Sequence, residues 1–406
     1  MNSSNNSTTS EDWMSKELVI ANIVFDVIIL AVSVLGNFLV IFTIIHEKKL
    51  QTTCNFLLLH LAVSDISLVV VNIPFDIHTL VNGSQWLFGN FMCRLLYPIS
   101  TVFYISGALI LTVISLDRYR VFVQTFKAKL RRSQAKKLIA FVYVFSIASV
   151  VPYSLNLKLE GDECFESWSK FRYRQLYTVF LFLIQYTVPL VIMTVVYTSI
   201  ARHLTRKTQR VNLSRNGPRR RISLYSGGRT KTRCEVERDQ RNRKALKTII
   251  TVVIVFSVFM LPYQLLWIIA DFQGMDEEKL SKLSKLFVVF SYIGSCTVNP
   301  FIYGVGDKQF RKGYRSFLNH LVSRVTGRKL SRKLISDGGS SDYWKGNRAR
   351  EEESYVCIVS IVSRVVECSL SIMILLSILL FPKLINNENN LLYPFINTRL
   401  NIYKQN

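Results

Sequence analysis

Seven stretches of this chain are apolar for long enough to cross a lipid bilayer, and nothing else in the sequence constrains the fold as strongly. The hydrocarbon core takes roughly 20 mostly apolar residues in a helix. The runs fall at about 18–45, 55–80, 95–122, 137–156, 176–202, 245–270 and 286–304. Lipid offers no partner to a bare N–H or C=O, so each run must satisfy its backbone internally as a helix. The expected class is therefore an all-α membrane protein, a bundle of seven transmembrane helices over 18–304.

Lys and Arg set the orientation, because cytoplasmic connections carry the excess. The first connection holds Lys48 and Lys49. The third holds Arg118, Arg120, Lys127, Lys129, Arg131, Arg132, Lys136 and Lys137. The fifth, about 202–247, is the most basic part of the chain, with PRRRIS and RNRK. The N-terminal 1–17 and the even connections are near neutral or acidic. Odd connections are thus expected inside and the N-terminus outside. A net charge of +24 would otherwise suggest nucleic acid, but the charge lies in loops between apolar runs and the basic stretch after Tyr303, so no nucleic-acid partner is expected.

Residues 1–17 lack the apolar core of a secretory signal, so the first run is expected to act as its own insertion signal. Sequons at Asn2, Asn5 and Asn6 would then face the exterior and accept glycans, and Asn82 is a further candidate. Asn212 fits the pattern but falls on the inner side. Of seven cysteines, only Cys93 and Cys164 fall on the outer side. An oxidising exterior favours a bridge between them.

Polar residues inside the runs are costly and need partners. Asn37, Asp65 and Asn299 sit at similar depth and are expected to form one polar cluster. Pro189, Pro262 and Pro300 each free a carbonyl and permit a kink. Asp117, Arg118, Tyr119 and Arg120 close the third run at the inner interface, where Arg118 has either a snorkelling or a functional role.

Together these features resemble the rhodopsin-like (class A) G-protein-coupled receptors, over about 18–317. The resemblance rests on GN at 36–37, LAVSD ending at Asp65, the segment from Cys93 to Asp117–Arg118–Tyr119, the Tyr186–Pro189 and Tyr197 pattern, FSVFMLPY at 256–263 and NPFIY at 299–303. GDKQFRKGY then resembles the short amphipathic eighth helix, placed at 305–317, with 318–406 as cytoplasmic tail. The resemblance implies a receptor that performs no covalent chemistry, needs no cofactor and speeds nucleotide exchange on a heterotrimeric G protein. It assigns Asp117, Arg118, Tyr119, Tyr197, Asn299, Pro300 and Tyr303 to coupling and activation, at the plasma membrane, with arrestin, receptor kinases and membrane lipids as further partners.

Four positions depart from the family pattern. Tyr143 stands where the fourth helix usually has Trp. Met260, preceded by Phe259, replaces the usual Trp of the sixth. Asn242 replaces the acid that often pairs with the Arg118 position. Gly107, beside Ser106, replaces a hydroxyl near Asp65, which puts sodium binding there in doubt; no other metal is expected. Ser100 occupies the place of the acid that amine receptors use, and no Lys lies in 286–307, where Ile293 matches the retinal-binding position. The regions 73–89 and 180–190 resemble receptors of the neuropeptide Y, neuropeptide FF and RFamide-type group.

That resemblance implies an extracellular peptide ligand, with Ser100, Tyr104, Tyr263, Gln264, Trp267 and Asp271 as contacts. Gln264, Trp267 and Asp271 share one helix face by spacing. Asp271 is the acid that would pair with an arginine of an amidated peptide, or else a solvated helix end. Asp76, Glu160, Asp162, Glu163 and Glu166 add acidity at the mouth, nearly cancelled by Lys158, Lys170, Arg172 and Arg174. A receptor for a lipid or other small molecule is the alternative. A transporter is the rival of another class, but the halves show no internal repeat.

The connection at about 203–244 has no hydrophobic periodicity and reads as disordered, with Ser223 in RRRIS as a kinase candidate. The tail carries SDGGSSDYW and no cysteine close behind the amphipathic helix. A further apolar run at 355–385 includes Arg364 and Glu367, and is expected to be an unreliable C-terminus rather than an eighth span.

Overall fold

The computed structural model describes residues 16–82, 85–124, 130–216, 233–274 and 277–326. Helix α1 is Lys16–His46, α2 Thr53–Val81, α3 Gly89–Phe122 and α4 Arg132–Asn156. Strands β1 (Leu157–Glu160) and β2 (Glu163–Glu166) follow. The fifth span is α5 (Phe171–Phe182), a π-helical turn (Leu183–Thr187) and α6 (Val188–Asn216). The sixth is α7 (Arg233–Gln273). The seventh is α8 (Glu277–Tyr292), a second π-turn (Ile293–Thr297) and α9 (Asn299–Gly306), and α10 (Lys308–Thr326) closes the described chain. Among the described residues, seven helical spans are long and apolar enough to cross a membrane.

The spans pack in sequence, α1 on α2, α2 on α3, and α3 on both α4 and α6. The shared core is aliphatic and aromatic, with Leu57, Leu68, Ile105, Ile110, Tyr186, Tyr197 and Tyr303 fully buried. Large apolar side chains such as Phe25, Leu35, Phe141, Val144 and Phe301 point away from it. A bundle in water could not leave so much apolar surface bare; in lipid it is the matched solvent.

Pro189 and Pro300 produce more than kinks. Each lies just after a π-turn, where an extra residue absorbs the clash of the ring with the preceding turn. Pro262, by contrast, sits within the continuous α7. Gly36 lets α1 approach Pro300: a Cβ there would stand 2.9 Å from the ring Cγ.

Three elements differ from the sequence expectation. The loop after α4 holds an antiparallel hairpin, Leu157 opposite Glu166 and Glu160 opposite Glu163. Gly161 supplies the positive φ of 59° that the tight turn needs. Helix also covers much of the 203–244 connection, since α6 runs to Asn216 and α7 starts at Arg233. Arg, Lys, Gln and Glu are good helix formers, so an amphipathic stripe is not required to extend a helix already nucleated in the bilayer. The amphipathic helix starts later and runs longer than 305–317. Asp307 caps it by accepting from Gln309 N at 2.7 Å, and Phe317 seats against Phe42 with ring centroids 4.7 Å apart. The side chain of Asn242, the sequons at Asn2, Asn5 and Asn6, Ser223 and the 355–385 run lie outside the described residues.

Candidate functional site

Three polar regions line the bundle axis. At its centre Asn299 Nδ2 donates to Asp65 Oδ2 at 2.9 Å and to Ser295 O at 2.6 Å. Asn37 is not hydrogen-bonded to Asp65. It donates to Ser33 O at 3.0 Å and to Cys296 O at 2.9 Å. The expected three-residue cluster is thus a carboxylate–amide pair, with Asn37 fastening α1 to the π-turn beneath it. The reason is that the π-turn leaves carbonyls such as that of Cys296 needing a donor.

Beside Asp65 lies a cavity of about 20 Å³, walled by residues including Leu61, Ser64, Gly107, Phe256 and Ser295. A Cβ on Gly107 would meet Leu61 Cδ1 at an unstrained 3.9 Å. Ser106 does not replace the missing hydroxyl, because it donates to Phe103 O at 3.1 Å and approaches Ser64 Oγ at 3.3 Å. Asp65 is the one carboxylate lining this cavity, and Asn299 already donates to it. Tyr143, where the family pattern has Trp, places its hydroxyl 3.2 Å from the same Ser64.

At the end away from the hairpin, Arg118 pairs with its neighbour Asp117, and both are buried. Ser115, one turn earlier, is hydrogen-bonded to Tyr197 Oη at 2.8 Å, bringing α6 to the same place. Tyr303 is buried, and its hydroxyl has no hydrogen-bond partner among the described residues. Tyr119 is half-buried and packs against the core.

At the hairpin end a disulfide joins Cys93 of α3 to Cys164 of β2. Trp86 N donates to Asp162 O at 2.7 Å and ties the hairpin tip to the α2–α3 connection. Beneath it the rings of Tyr104 and Tyr263 stack at 6.2 Å, as do those of Tyr104 and Tyr292 at 6.4 Å. Tyr104 Oη meets Ser291 Oγ at 2.7 Å. Trp267 meets Tyr263 edge-on, and Gln264 Nε2 donates to Gln185 Oε1 at 3.0 Å within the first π-turn. Ser100 is turned towards α2, engaged by Asn72 Oδ1 and by Leu96 O.

Asp271 is 3% exposed. Its Oδ1 lies 2.9 Å from Arg174 Nε, and its Oδ2 accepts from Thr178. Gln175 Nε2 donates to its carbonyl at 2.9 Å. Arg174 Nε also lies 3.6 Å from Glu166 Oε2, which accepts from Trp168 Nε1 at 2.7 Å. Burial pushes the Glu166 carboxyl above its ordinary range, partly offset by Arg174. Asp271 is therefore no solvated helix end.

Residues 36–303 match the model of the 7 transmembrane receptor (rhodopsin family). The chain belongs to this family. It is a class A G-protein-coupled receptor, a signalling protein and not an enzyme. It is 29% identical over 324 residues to a QRFP-like peptide receptor of Branchiostoma floridae, covering 76% of this chain and 80% of that one. It is 28% identical to neuropeptide receptor 22 of Caenorhabditis elegans, over 81% of this chain and 75% of the other. It is also 28% identical to the human neuromedin-K receptor, over 71% and 59%.

Sequence reasoning missed part of the receptor's mouth. Asp26 of α1 is buried, and it interacts electrostatically with Lys285 of α8 and with Asp76. Asp76 in turn accepts from Tyr292 Oη at 3.1 Å. Asp26 carried the same signal as Asp65, an acid inside an apolar run. Lys285 stands one residue before the expected start of the seventh run.

Proposed function

We propose that this receptor responds to an extracellular peptide carrying an arginine near an amidated C-terminus, and that it activates a heterotrimeric G protein. The hairpin end faces outwards at the plasma membrane, with the N-terminus extracellular. The observation that carries the ligand reading is the Asp271 carboxylate, buried beside the mouth and already matched to a guanidinium. A charge-assisted pair of this kind fixes both orientation and charge of what binds. The names of the relatives, receptors for peptides in three animals, support it.

Tyr104, Tyr263, Gln264 and Trp267 form the wall on which the peptide's apolar side chains pack. Ser100 is bound to Asn72 and serves the wall from behind. Binding favours the state in which the inner end of α7 moves away from α3. Arg118, released from Asp117, then reaches the G protein, with Tyr197 and Tyr303 closing in around it. This is a two-state element biased by a ligand that prefers one state. Arrestin and receptor kinases act on the same opened face, while membrane lipids surround the bundle.

The test is a calcium and cyclic-AMP reporter assay in cells expressing the receptor, against amidated peptides with and without arginine. Activation by arginine-containing amidated peptides is expected. Activation only by lipids or uncharged small molecules sinks the reading.

A further inference from the structure

Arg174 stands near the start of α5 between two carboxylates from different parts of the chain. Asp271 lies in the last turn of α7, and Glu166 ends β2, two residues beyond the disulfide at Cys164. A single nitrogen, Nε, approaches both, at 2.9 Å and 3.6 Å. The acids differ in burial: the side chain of Asp271 is 2% exposed and that of Glu166 24%. One cation thus serves two anions, and it sits on the more buried of them.

We propose that Arg174 is a resident substitute for the ligand's arginine, and that a cationic ligand binds by exchange. The incoming guanidinium takes Asp271 while Arg174 passes entirely to Glu166. The inference rests on the reading of Asp271 as the ligand's anchor.

The physical case begins with the cost of a bare buried charge. Removing one partner from a buried ion pair is strongly destabilising, so Asp271 needs a cation before any ligand arrives. Arg174 supplies it and keeps α5 docked on α7, helped by Thr178 and by the Gln175 bond to the Asp271 carbonyl. In the resting form two acids share one base, leaving one negative charge in excess. An incoming cation makes two pairs of two. The displaced Arg174 has a short path, because Glu166 is already within 3.6 Å.

The Trp168 indole holds the same Glu166 Oε2 that faces Arg174, so the carboxylate receives Arg174 without leaving its place. A neutral ligand cannot drive the swap, since it would leave Asp271 uncovered. The device therefore selects for charge by penalising ligands that lack it. It also lowers affinity for the right ligand by the strength of the pair that must be broken, as any competing internal contact does.

The experiment uses a peptide ending in Arg-Phe-amide and the same peptide with citrulline for arginine. Both are titrated on the full-length receptor, with surface expression measured in parallel. Arg174→Gln removes the competitor and should shift the arginine peptide to higher potency by roughly three- to tenfold, as expected for a partly exposed ion pair. The citrulline peptide should move little. Glu166→Gln removes the refuge and should shift the arginine peptide the other way, leaving citrulline unmoved. With Arg174 absent, Glu166→Gln should have no further effect.

If Asp271→Asn abolishes discrimination between the peptides while Arg174→Gln fails to raise arginine-peptide potency, the anchor stands and the exchange falls. If the parent receptor treats the two peptides alike, or answers neither, the anchor falls and takes the exchange with it. Should Arg174→Gln fail to reach the surface, Glu166→Gln decides, since it keeps the Arg174–Asp271 pair. An unchanged arginine-to-citrulline ratio in that variant overturns the proposal.

Discussion

The amide of Asn299 donates to the carboxylate of Asp65 at 2.9 Å, joining residues 234 positions apart at the centre of the bundle. Neither group has water-like surroundings, and each would be costly to leave without a partner. The bond fixes α2 against α9 at the level where the π-turn begins to straighten.

Asp65 and Asn299 should therefore be energetically coupled. Interhelical hydrogen bonds in membranes are worth roughly 0.6–2 kcal/mol. Asp65→Ala and Asn299→Ala should each lower the thermal midpoint of the detergent-solubilised receptor, and the double variant should fall short of the sum by about 1 kcal/mol. Strictly additive losses would show that each residue acts through other contacts.

Gly294 offers a second test, of packing. A Cβ at that position would lie 2.2 Å from Phe259 Cβ and 3.5 Å from its Cα. The clash is with the root of a side chain, which cannot swing aside. Gly294→Ala should push the second π-turn off α7 and cost about 1–3 kcal/mol, seen as a lower thermal midpoint and reduced surface expression. Phe259→Gly, which removes that Cβ, should relieve part of the loss in the double variant, whereas Phe259→Ala, which keeps it, should relieve little. A Gly294→Ala receptor as stable as the parent would mean that the seventh span packs elsewhere.

The seven spans were legible because lipid imposes one simple rule on length and composition. Asp65, Asn299 and the Cys93–Cys164 bridge were legible because few alternatives compete with them. The Asn37 contact was not, since its partner is a carbonyl that only becomes available in a π-turn. The hairpin after α4 was hidden because a pair of four-residue strands carries almost no periodic signal. In the sequence, Arg174 is one of several charges that cancel loop acids. Its contact with Asp271 depends on the angle between α5 and α7, which no local pattern encodes.

Arg118→Ala should separate coupling from binding. The guanidinium is buried at the end of α3 with Asp117 beside it and Tyr197 one turn away through Ser115. Removing it should leave surface expression and agonist binding near those of the parent and abolish agonist-stimulated nucleotide exchange on purified G protein. Normal exchange by a well-expressed variant would sink the coupling role.

The disulfide makes a prediction about shared function. Cys93 is fully buried in a small cluster with Trp86, Leu96 and Leu157, so the bridge holds the hairpin root against α3. Cys93→Ser and Cys164→Ser should each reduce surface expression or agonist binding. The double variant should be no worse than the weaker single one. Clearly additive losses would mean that the two residues contribute separately.

The ligand anchor is best tested by pairing changes on both sides of the contact. Asp271→Ala leaves Arg174 with Glu166 at 3.6 Å and keeps the Gln175 bond to the backbone carbonyl, so the mutation strands no cation, and potency is compared at matched surface expression. It does remove the carboxylate that the peptide's arginine would meet. A charge-assisted pair lost from a partly buried site costs roughly 2–5 kcal/mol, or at least tenfold in potency. The agonist curve of an arginine-containing amidated peptide should therefore move to higher concentration by that factor. The same peptide with a neutral residue for arginine should already be weak on the parent, and should lose little more on Asp271→Ala. If the variant still prefers the arginine peptide as strongly as the parent does, the arginine meets some other group, and Asp271 serves only to hold α5 against α7.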